Sequence, residues 1–140
     1  VKVRDLVIGE DAYTLSSYPK LFFDDDNKVF FGDEEVVNSL YKHAVDDGAR
    51  VEKGTIMTSD IFDVYVDKDR YMKNYDSKID TLVSEMEGAI LYCISKHLNK
   101  KAACILTVVD SMYEKIELSS HDREQALDQM ITVALDTVIE

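Results

Sequence analysis

The chain has 140 residues, of which 46% are hydrophobic, so it is long enough to form one cooperative domain with a substantial core. Its 28 acidic residues against 16 basic ones give a net charge of −12, which argues against a nucleic acid or an anionic membrane as the main partner. A small ligand or another protein is favoured. No apolar run reaches the roughly 20 residues that a membrane span needs.

The cysteines and histidines predict neither a disulfide framework nor a metal site. Cys93 and Cys104 do not form a CxxC pair, and the three histidines lie far apart in the sequence. A reducing, cytoplasmic location is expected. The chain opens with Val1 and soon reaches an apolar segment, 6–8, without a signal peptide. We expect a longer protein whose beginning is missing here, with residues 1–140 forming part of a single domain.

Four segments are rich in β-branched, aromatic or continuous apolar residues and are predicted as strands. They are residues 3–8, 28–31, 50–58 and 102–109. The last runs Ala-Ala-Cys-Ile-Leu-Thr-Val-Val without polar alternation, which is typical of a strand covered on both faces.

Three apolar stripes at helical spacing predict helices. The first spans 36–44 and is ended by Gly48, the second spans 83–98, and the third spans 127–138 with Ser119 or Ser120 as its cap. The Tyr-rich segment 63–78 has no clear period and is predicted to be an irregular loop with at most one helical turn. Alternating strands and helices predict an α/β layer architecture, in which ligands gather at the carboxyl ends of strands.

Three acidic residues stand where such a site would form. Asp110 follows the most apolar strand, where a carboxylic acid withdrawn from water can serve as a general acid, although an Asp there also commonly starts a turn. Glu85 and Glu87 flank Met86 at the start of the second helix. Their carboxylates could accept hydrogen bonds from free backbone N–H groups or from paired hydroxyls of a ligand.

Three further features are weaker on their own. Phe62 follows small polar residues at a strand end and could stack on a flat heterocycle, although such a residue is more often core. Arg123, in the first turn of the last helix, is mildly unfavourable against the helix dipole, but single surface arginines are common there. The run 24–27, Asp-Asp-Asp-Asn, lacks the calcium-loop pattern and is predicted to be a solvated turn.

The order and spacing of these segments resemble the C-terminal part of the hexameric bacterial-type purine nucleoside phosphorylases, in the nucleoside phosphorylase and nucleosidase superfamily. The resemblance covers essentially the whole chain. The matching stretches are 1–9, 54–62, Glu-Met-Glu at 85–87, Leu-Thr-Val-Val-Asp at 106–110, Asp-Arg-Glu at 122–124 and 128–136.

The resemblance implies a three-layer α/β/α fold with a mixed central sheet. It also implies a glycosyltransferase of purine salvage that carries out reversible phosphorolysis of purine (deoxy)ribonucleosides to free base and (deoxy)ribose 1-phosphate. Inorganic phosphate would be the co-substrate, with no cofactor. The expected assembly is a cytoplasmic homohexamer built as a trimer of dimers.

By the same resemblance, five residues would bind the nucleoside. Phe62 would pack against the purine, Glu87 would bind the ribose 2′- and 3′-hydroxyls, and Met86 would lie against the sugar. Ser84 and Glu85 would help to line the pocket.

The resemblance assigns the catalytic roles to two other residues. Asp110 would donate a proton or a hydrogen bond to purine N7 as the glycosidic bond breaks, and Arg123 would assist that transfer. The segment 109–111 reads Val-Asp-Ser where the family usually has Ser-Asp-His, so one polar neighbour of the acid differs.

Two alternatives stay open. A nucleosidase of the methylthioadenosine or adenosylhomocysteine type shares a Glu-Met-Glu stretch and a strand-terminal Asp, although Arg123 argues against it. A non-catalytic ligand-binding module is the second alternative, because the family's phosphate ligands come from a part of the protein outside this chain.

Overall fold

A mixed β-sheet forms the middle layer of the fold. The structure is a computed structural model that describes residues 1–111 and 116–139. Within these residues the main sheet contains β1 (Leu6–Thr14), β2 (Val29–Phe31), β3 (Val51–Thr58), β4 (Val83–Glu85) and β5 (Cys104–Thr107). A separate two-stranded sheet pairs β6 (Asp110–Ser111) with β7 (Ile116–Glu117) in antiparallel fashion.

Five α-helices lie between or after these strands in the described residues. They are α1 (Tyr18–Phe23), α2 (Glu34–Asp46), α3 (Lys68–Asn74), α4 (Gly88–Leu98) and α5 (Ser120–Ile139), with a 3₁₀ turn at Asp63–Tyr65. None of the helices in the described part of the chain combines the length and apolar character needed to cross a membrane.

Strand β1 is the centre of the sheet. It pairs with β3 in parallel along its whole length, and β3 pairs in parallel with β4. The other side of β1 is shared by two antiparallel strands, β2 opposite Asp11–Tyr13 and β5 opposite Leu6–Gly9. The carboxyl ends of β1, β3 and β4 therefore meet at one edge of the sheet, while β5 runs towards the opposite edge.

Alternation along β1 gives the sheet two buried faces. Val7 and Ala12 join the cluster that includes Tyr92 of α4, whereas Leu6 and Ile8 pack with residues of α2 and α5. The result is the expected three-layer α/β/α arrangement with a mixed sheet, so the predicted fold class is confirmed.

The Tyr92 side chain ties three elements together. It is fully buried, and its hydroxyl donates to the carbonyl of Gly9 at 2.7 Å while it accepts from the N–H of Cys104 at 2.8 Å. A single phenol thus links α4 to both β1 and β5, and satisfies two backbone groups that water cannot reach.

Several predicted elements differ from the observed ones. β1 extends to Thr14, well beyond the predicted end at residue 8. The predicted second helix begins at Gly88 and not at residue 83, because Val83–Glu85 pairs with β3 as a strand. The helix was predicted too early because Val83 in the short strand and Met86 in the turn after it have helical spacing relative to the apolar residues of α4. The segment 63–78, predicted to hold at most one helical turn, contains both the 3₁₀ turn and α3.

The prediction of a solvated turn at 24–27 is wrong for Asp25. This side chain is only 6% exposed, and its carboxylate accepts from Lys96 Nζ at 2.6 Å and contacts His97 Nε2 at 3.0 Å. The N–H of Asn27 also donates to it. The hydrogen bond from Lys96, together with that from the Asn27 backbone, holds the pKa of Asp25 well below its usual range. The turn is therefore fastened to the end of α4.

We expect Asp25→Asn to destabilise the protein in a pH-dependent way. A carboxyl whose pKa is lowered by folding contributes stability above its unfolded pKa of about 3.9 and loses that contribution as the pH falls below this value. Urea titrations measure the difference in unfolding free energy between wild type and variant. This difference should reach its full size at about pH 5 and become smaller towards pH 2.5. Asp26→Asn, at an exposed carboxylate paired with Lys20, is the control. A difference that does not change with pH would contradict the assignment.

Candidate functional site

Three polar side chains stand in a row where the parallel strands end. In the sheet register Thr14 of β1 lies opposite Thr58 of β3, and Thr58 lies opposite Glu85 of β4. Thr14 and Thr58 are buried and Glu85 is half-buried. This carboxyl edge is where open α/β sheets place their ligands.

The Glu85 carboxylate turns back onto the start of α4. One of its oxygens, Oε2, accepts from the N–H of Glu87 at 2.6 Å and from the N–H of Gly88 at 2.7 Å. The other, Oε1, accepts from the hydroxyl of Thr58. The expectation that a carboxylate of the Glu-Met-Glu segment meets free backbone N–H groups is confirmed for Glu85.

Thr58 connects the strand ends to the same helix. Its hydroxyl donates to Glu85 and accepts from the N–H of Ala89 at 2.7 Å. Its carbonyl accepts from the hydroxyl of Thr14 at 2.9 Å. The N–H of Ser59 donates to the carbonyl of Glu85 at 2.9 Å. These hydrogen bonds form one polar network across β1, β3, β4 and the first turn of α4.

The turn that follows Glu85 presents its side chains to solvent. Met86 is 42% exposed, and Glu87 is exposed and makes no capping hydrogen bond with its side chain although it occupies the N-cap position of α4. Ser84 is also exposed at this edge. Phe62, which leaves the edge from β3, is 55% exposed and packs edge-on against Tyr65. Four predicted nucleoside-binding residues are therefore accessible here.

Two cavities adjoin this edge. One, of about 310 Å³, meets the polar network at Thr58 and is also lined by Tyr65 and Tyr71. The other, of about 480 Å³, reaches Ser84 and lies against Met57. Both have the size of small-molecule sites.

Cys104 is a poor nucleophile in this environment. Burial, followed by the negative charges of Glu85 and Glu87, raises the pKa of its thiol to about 12. The thiol is therefore neutral at physiological pH. In the described part of the chain, no three His, Cys, Asp or Glu side chains gather closely enough to hold a metal ion.

Asp110 and Arg123 lie at the other end of the sheet. Because β5 is antiparallel to β1, its last residue Thr107 lies opposite Leu6, and the N–H of Arg4 donates to the carbonyl of Val108. Eight residue-to-residue steps along β1, from Leu6 to Thr14, or roughly 25 Å, separate this end from the edge that holds Glu85.

The segments of Asp110 and Arg123 meet each other at Leu118. The N–H of Leu118 donates to the carbonyl of Val109, and Arg123 Nε donates to the carbonyl of Leu118 at 3.0 Å. Asp110 itself is exposed, so the withdrawal from water on which its candidacy rested is not found. The chain thus brings the two predicted catalytic residues near one another. It does not bring Asp110 to the edge of the sheet where Glu87 lies.

Sequence reasoning missed Thr58 as a site residue. The signal available was a hydroxyl at the last position of a predicted strand, just before a small polar run. Only the register shows that this hydroxyl lies beside Glu85.

Comparison with known proteins identifies the class of protein to which this fold and edge site belong. Residues 1–140 match the Phosphorylase superfamily, so the chain belongs to this family. The chain is similar to a protein named purine nucleoside phosphorylase DeoD-type from Oceanobacillus iheyensis, with 30% identity over all of this chain and 59% of the relative. A protein of the same name from Shewanella loihica is 32% identical over 99% of this chain and 58% of the relative. The chain therefore spans somewhat more than half the length of these curated relatives.

Gly88 allows the start of α4 to pack closely against Ile56 and Glu85. A Cβ at Gly88 would lie 2.7 Å from Ile56 Cδ1 and 3.0 Å from Glu85 Oε1, and a Cβ at Gly9 would lie 2.9 Å from the same Ile56 atom. Ile56 is fully buried, so its terminal methyl group is held between two glycines and has little room to move.

We expect Gly88→Ala to lower the unfolding free energy by about 1–3 kcal/mol, the usual cost of overpacking, partly offset by the better helix propensity of Ala. The cost should be smaller in an Ile56→Val background, because that change removes the clashing methyl group. Urea unfolding of the four proteins in this double-mutant cycle measures the coupling. Strictly additive effects would show that Ile56 is not the obstacle.

Proposed function

We propose that the complete protein is a purine nucleoside phosphorylase, a glycosyltransferase that converts purine (deoxy)ribonucleosides and phosphate into free base and (deoxy)ribose 1-phosphate. Membership of the Phosphorylase superfamily and the names of the relatives support this proposal. The observation that carries it is the turn at Met86 and Glu87, which the Glu85 carboxylate holds at the carboxyl edge with both side chains exposed.

The proposed chemistry follows from the side chains at this edge. A carboxylate can accept two hydrogen bonds from neighbouring hydroxyls, so Glu87 would bind the ribose 2′- and 3′-hydroxyls. Met86 would lie against the sugar, Phe62 would pack against the purine, and Ser84 would line the pocket. Phosphate attacks the anomeric carbon as the bond to the base breaks, so the sugar develops positive charge. Inorganic phosphate is the co-substrate and no cofactor is proposed.

The roles of Asp110 and Arg123 are proposals with a structural condition. Donation of a proton to purine N7 by Asp110 would keep the leaving base neutral. In the present topology Asp110 lies at the opposite end of the sheet from Glu87. The proposed role therefore requires that β5 carry Asp110 to the other edge in the complete protein, where β5 would run parallel to β1.

The assembly and location are likewise proposed. The resemblance to hexameric purine nucleoside phosphorylases supports a homohexamer built as a trimer of dimers, acting in purine salvage. Two free cysteines, Cys93 and Cys104, are compatible with the proposed cytoplasmic location.

The test is the release of free base from inosine and adenosine by the longest native form of the protein, with and without inorganic phosphate. We expect release that depends on phosphate. Glu87→Ala should lower kcat/KM by roughly 10- to 100-fold, since it removes charge-assisted hydrogen bonds to the sugar. Glu52→Gln, at an exposed position near the amino end of β3, is the control and should leave kcat/KM unchanged.

The other outcomes identify the alternatives. Release without phosphate would identify a nucleosidase of the methylthioadenosine or adenosylhomocysteine type. No release by a verified full-length protein would leave the non-catalytic binding module.

A further inference from the structure

We infer that Thr58 and Glu85 are positioning residues, which set the ribose recognition of Glu87 without contacting the nucleoside themselves. The inference rests on the proposed function and adds to it. It assigns a role to Thr58, which the sequence did not suggest, and it changes the expected role of Glu85 from lining the pocket to holding the turn.

The Glu85 carboxylate is occupied by hydrogen bonds within the protein. Its two carboxylate oxygens accept three donors from the protein: the Thr58 hydroxyl and the N–H groups of Glu87 and Gly88. One donor lies at the end of β3, and the other two lie at the start of α4. The carboxylate is therefore directed towards α4 and β3, and most of its accepting capacity is used within the protein.

Helix α4 begins without a cap from the side chain of its own N-cap residue. The first N–H groups of a helix have no intrahelical partner, and the side chain at the N-cap position usually satisfies one of them. In α4 the N-cap residue is Glu87, and its side chain makes no such bond. Glu85 and Thr58 satisfy the N–H groups of Glu87, Gly88 and Ala89 in its place. The Glu87 carboxylate is thereby released from capping and left at the exposed edge.

The hydroxyl of Thr58 is held between two hydrogen-bond partners. Thr58 is fully buried, and its hydroxyl both donates to Glu85 and accepts from the N–H of Ala89. Its direction is therefore fixed by two partners on different elements. Because the backbone N–H of Glu87 is bound to Glu85, the placement of Glu87 depends on Thr58 through a single intermediate side chain. Loss of the hydroxyl should loosen the turn and with it the geometry of the sugar contact.

A misplaced Glu87 can be distinguished experimentally from a general loss of structure. Glu87 is proposed to contact the sugar, so a misplaced Glu87 weakens binding of the nucleoside but not binding of the free base. A variant that merely damages the fold weakens both. The ratio of the two affinities therefore reports on the positioning role.

The experiment uses the longest native form and measures the dissociation constants of inosine and hypoxanthine. Thr58→Val, which keeps the shape and removes the hydroxyl, should weaken inosine about tenfold while changing hypoxanthine less than twofold. Thr58→Ser keeps the hydroxyl and should restore the wild-type ratio. Thr55→Val, three residues earlier on the same strand, is the matched control. In a Glu87→Ala background, Thr58→Val should have no further effect on the ratio.

Each outcome is decisive. Equal weakening of both ligands, an unchanged ratio, or an undiminished effect in the Glu87→Ala background would overturn the inference. If Thr58→Val does not fold, Glu85→Gln provides the same comparison, because the amide keeps the volume but exchanges one acceptor for a donor. Wild-type protein that binds neither ligand and releases no base would instead contradict the proposed function.

Discussion

A helix that starts at the edge of a sheet leaves its first N–H groups without intrahelical partners, and burying them unsatisfied would cost about 1–3 kcal/mol each. In this protein the Thr58 hydroxyl and the Glu85 carboxylate meet that requirement for three successive N–H groups. These bonds join the first turn of α4 to the ends of β3 and β4. Tyr92, one turn further along α4, is buried in the core and joins β1 to β5.

The same bonds give the two carboxylates of this segment different surroundings. Glu85 and Glu87 are two residues apart and carry the same charge, yet they have different surroundings. Glu85 faces N–H groups and the positive end of the helix dipole, which offset its negative charge. Glu87 is exposed to solvent. At the start of α4, the Glu85 carboxylate therefore holds the turn in place, whereas the Glu87 carboxylate is exposed on it.

The layer architecture could be predicted from the sequence because it depends on local pattern. The apolar runs at 50–58 and 102–109 contain β3 and β5, and Gly48, with a positive φ of 73°, follows the end of α2 as expected. Ser119 caps α5 by accepting from the N–H of Asp122. Each of these signals acts over a few residues and needs no knowledge of the partner strands.

Pairing direction and long-range side-chain contacts could not be predicted in this way. An apolar strand has the same sequence pattern whether it runs parallel or antiparallel to its neighbour, so the pattern alone did not show that β5 ends at the opposite edge from Glu85. Asp25 was expected to be solvated as part of the turn 24–27, but Lys96 and His97, about seventy residues later, contact its carboxylate.

The most direct test of the central claim is amide hydrogen exchange, measured by NMR, at Glu87, Gly88 and Ala89 in the wild type and in Thr58→Val. First-turn N–H groups of a helix ordinarily exchange quickly because they lack partners. If Thr58 and Glu85 bind them as described, these three N–H groups should be protected to the same degree as the middle of α4 in the wild type. They should lose protection in the variant while Tyr92 and Cys93 keep theirs. Rapid exchange of all three in the wild type would contradict the account.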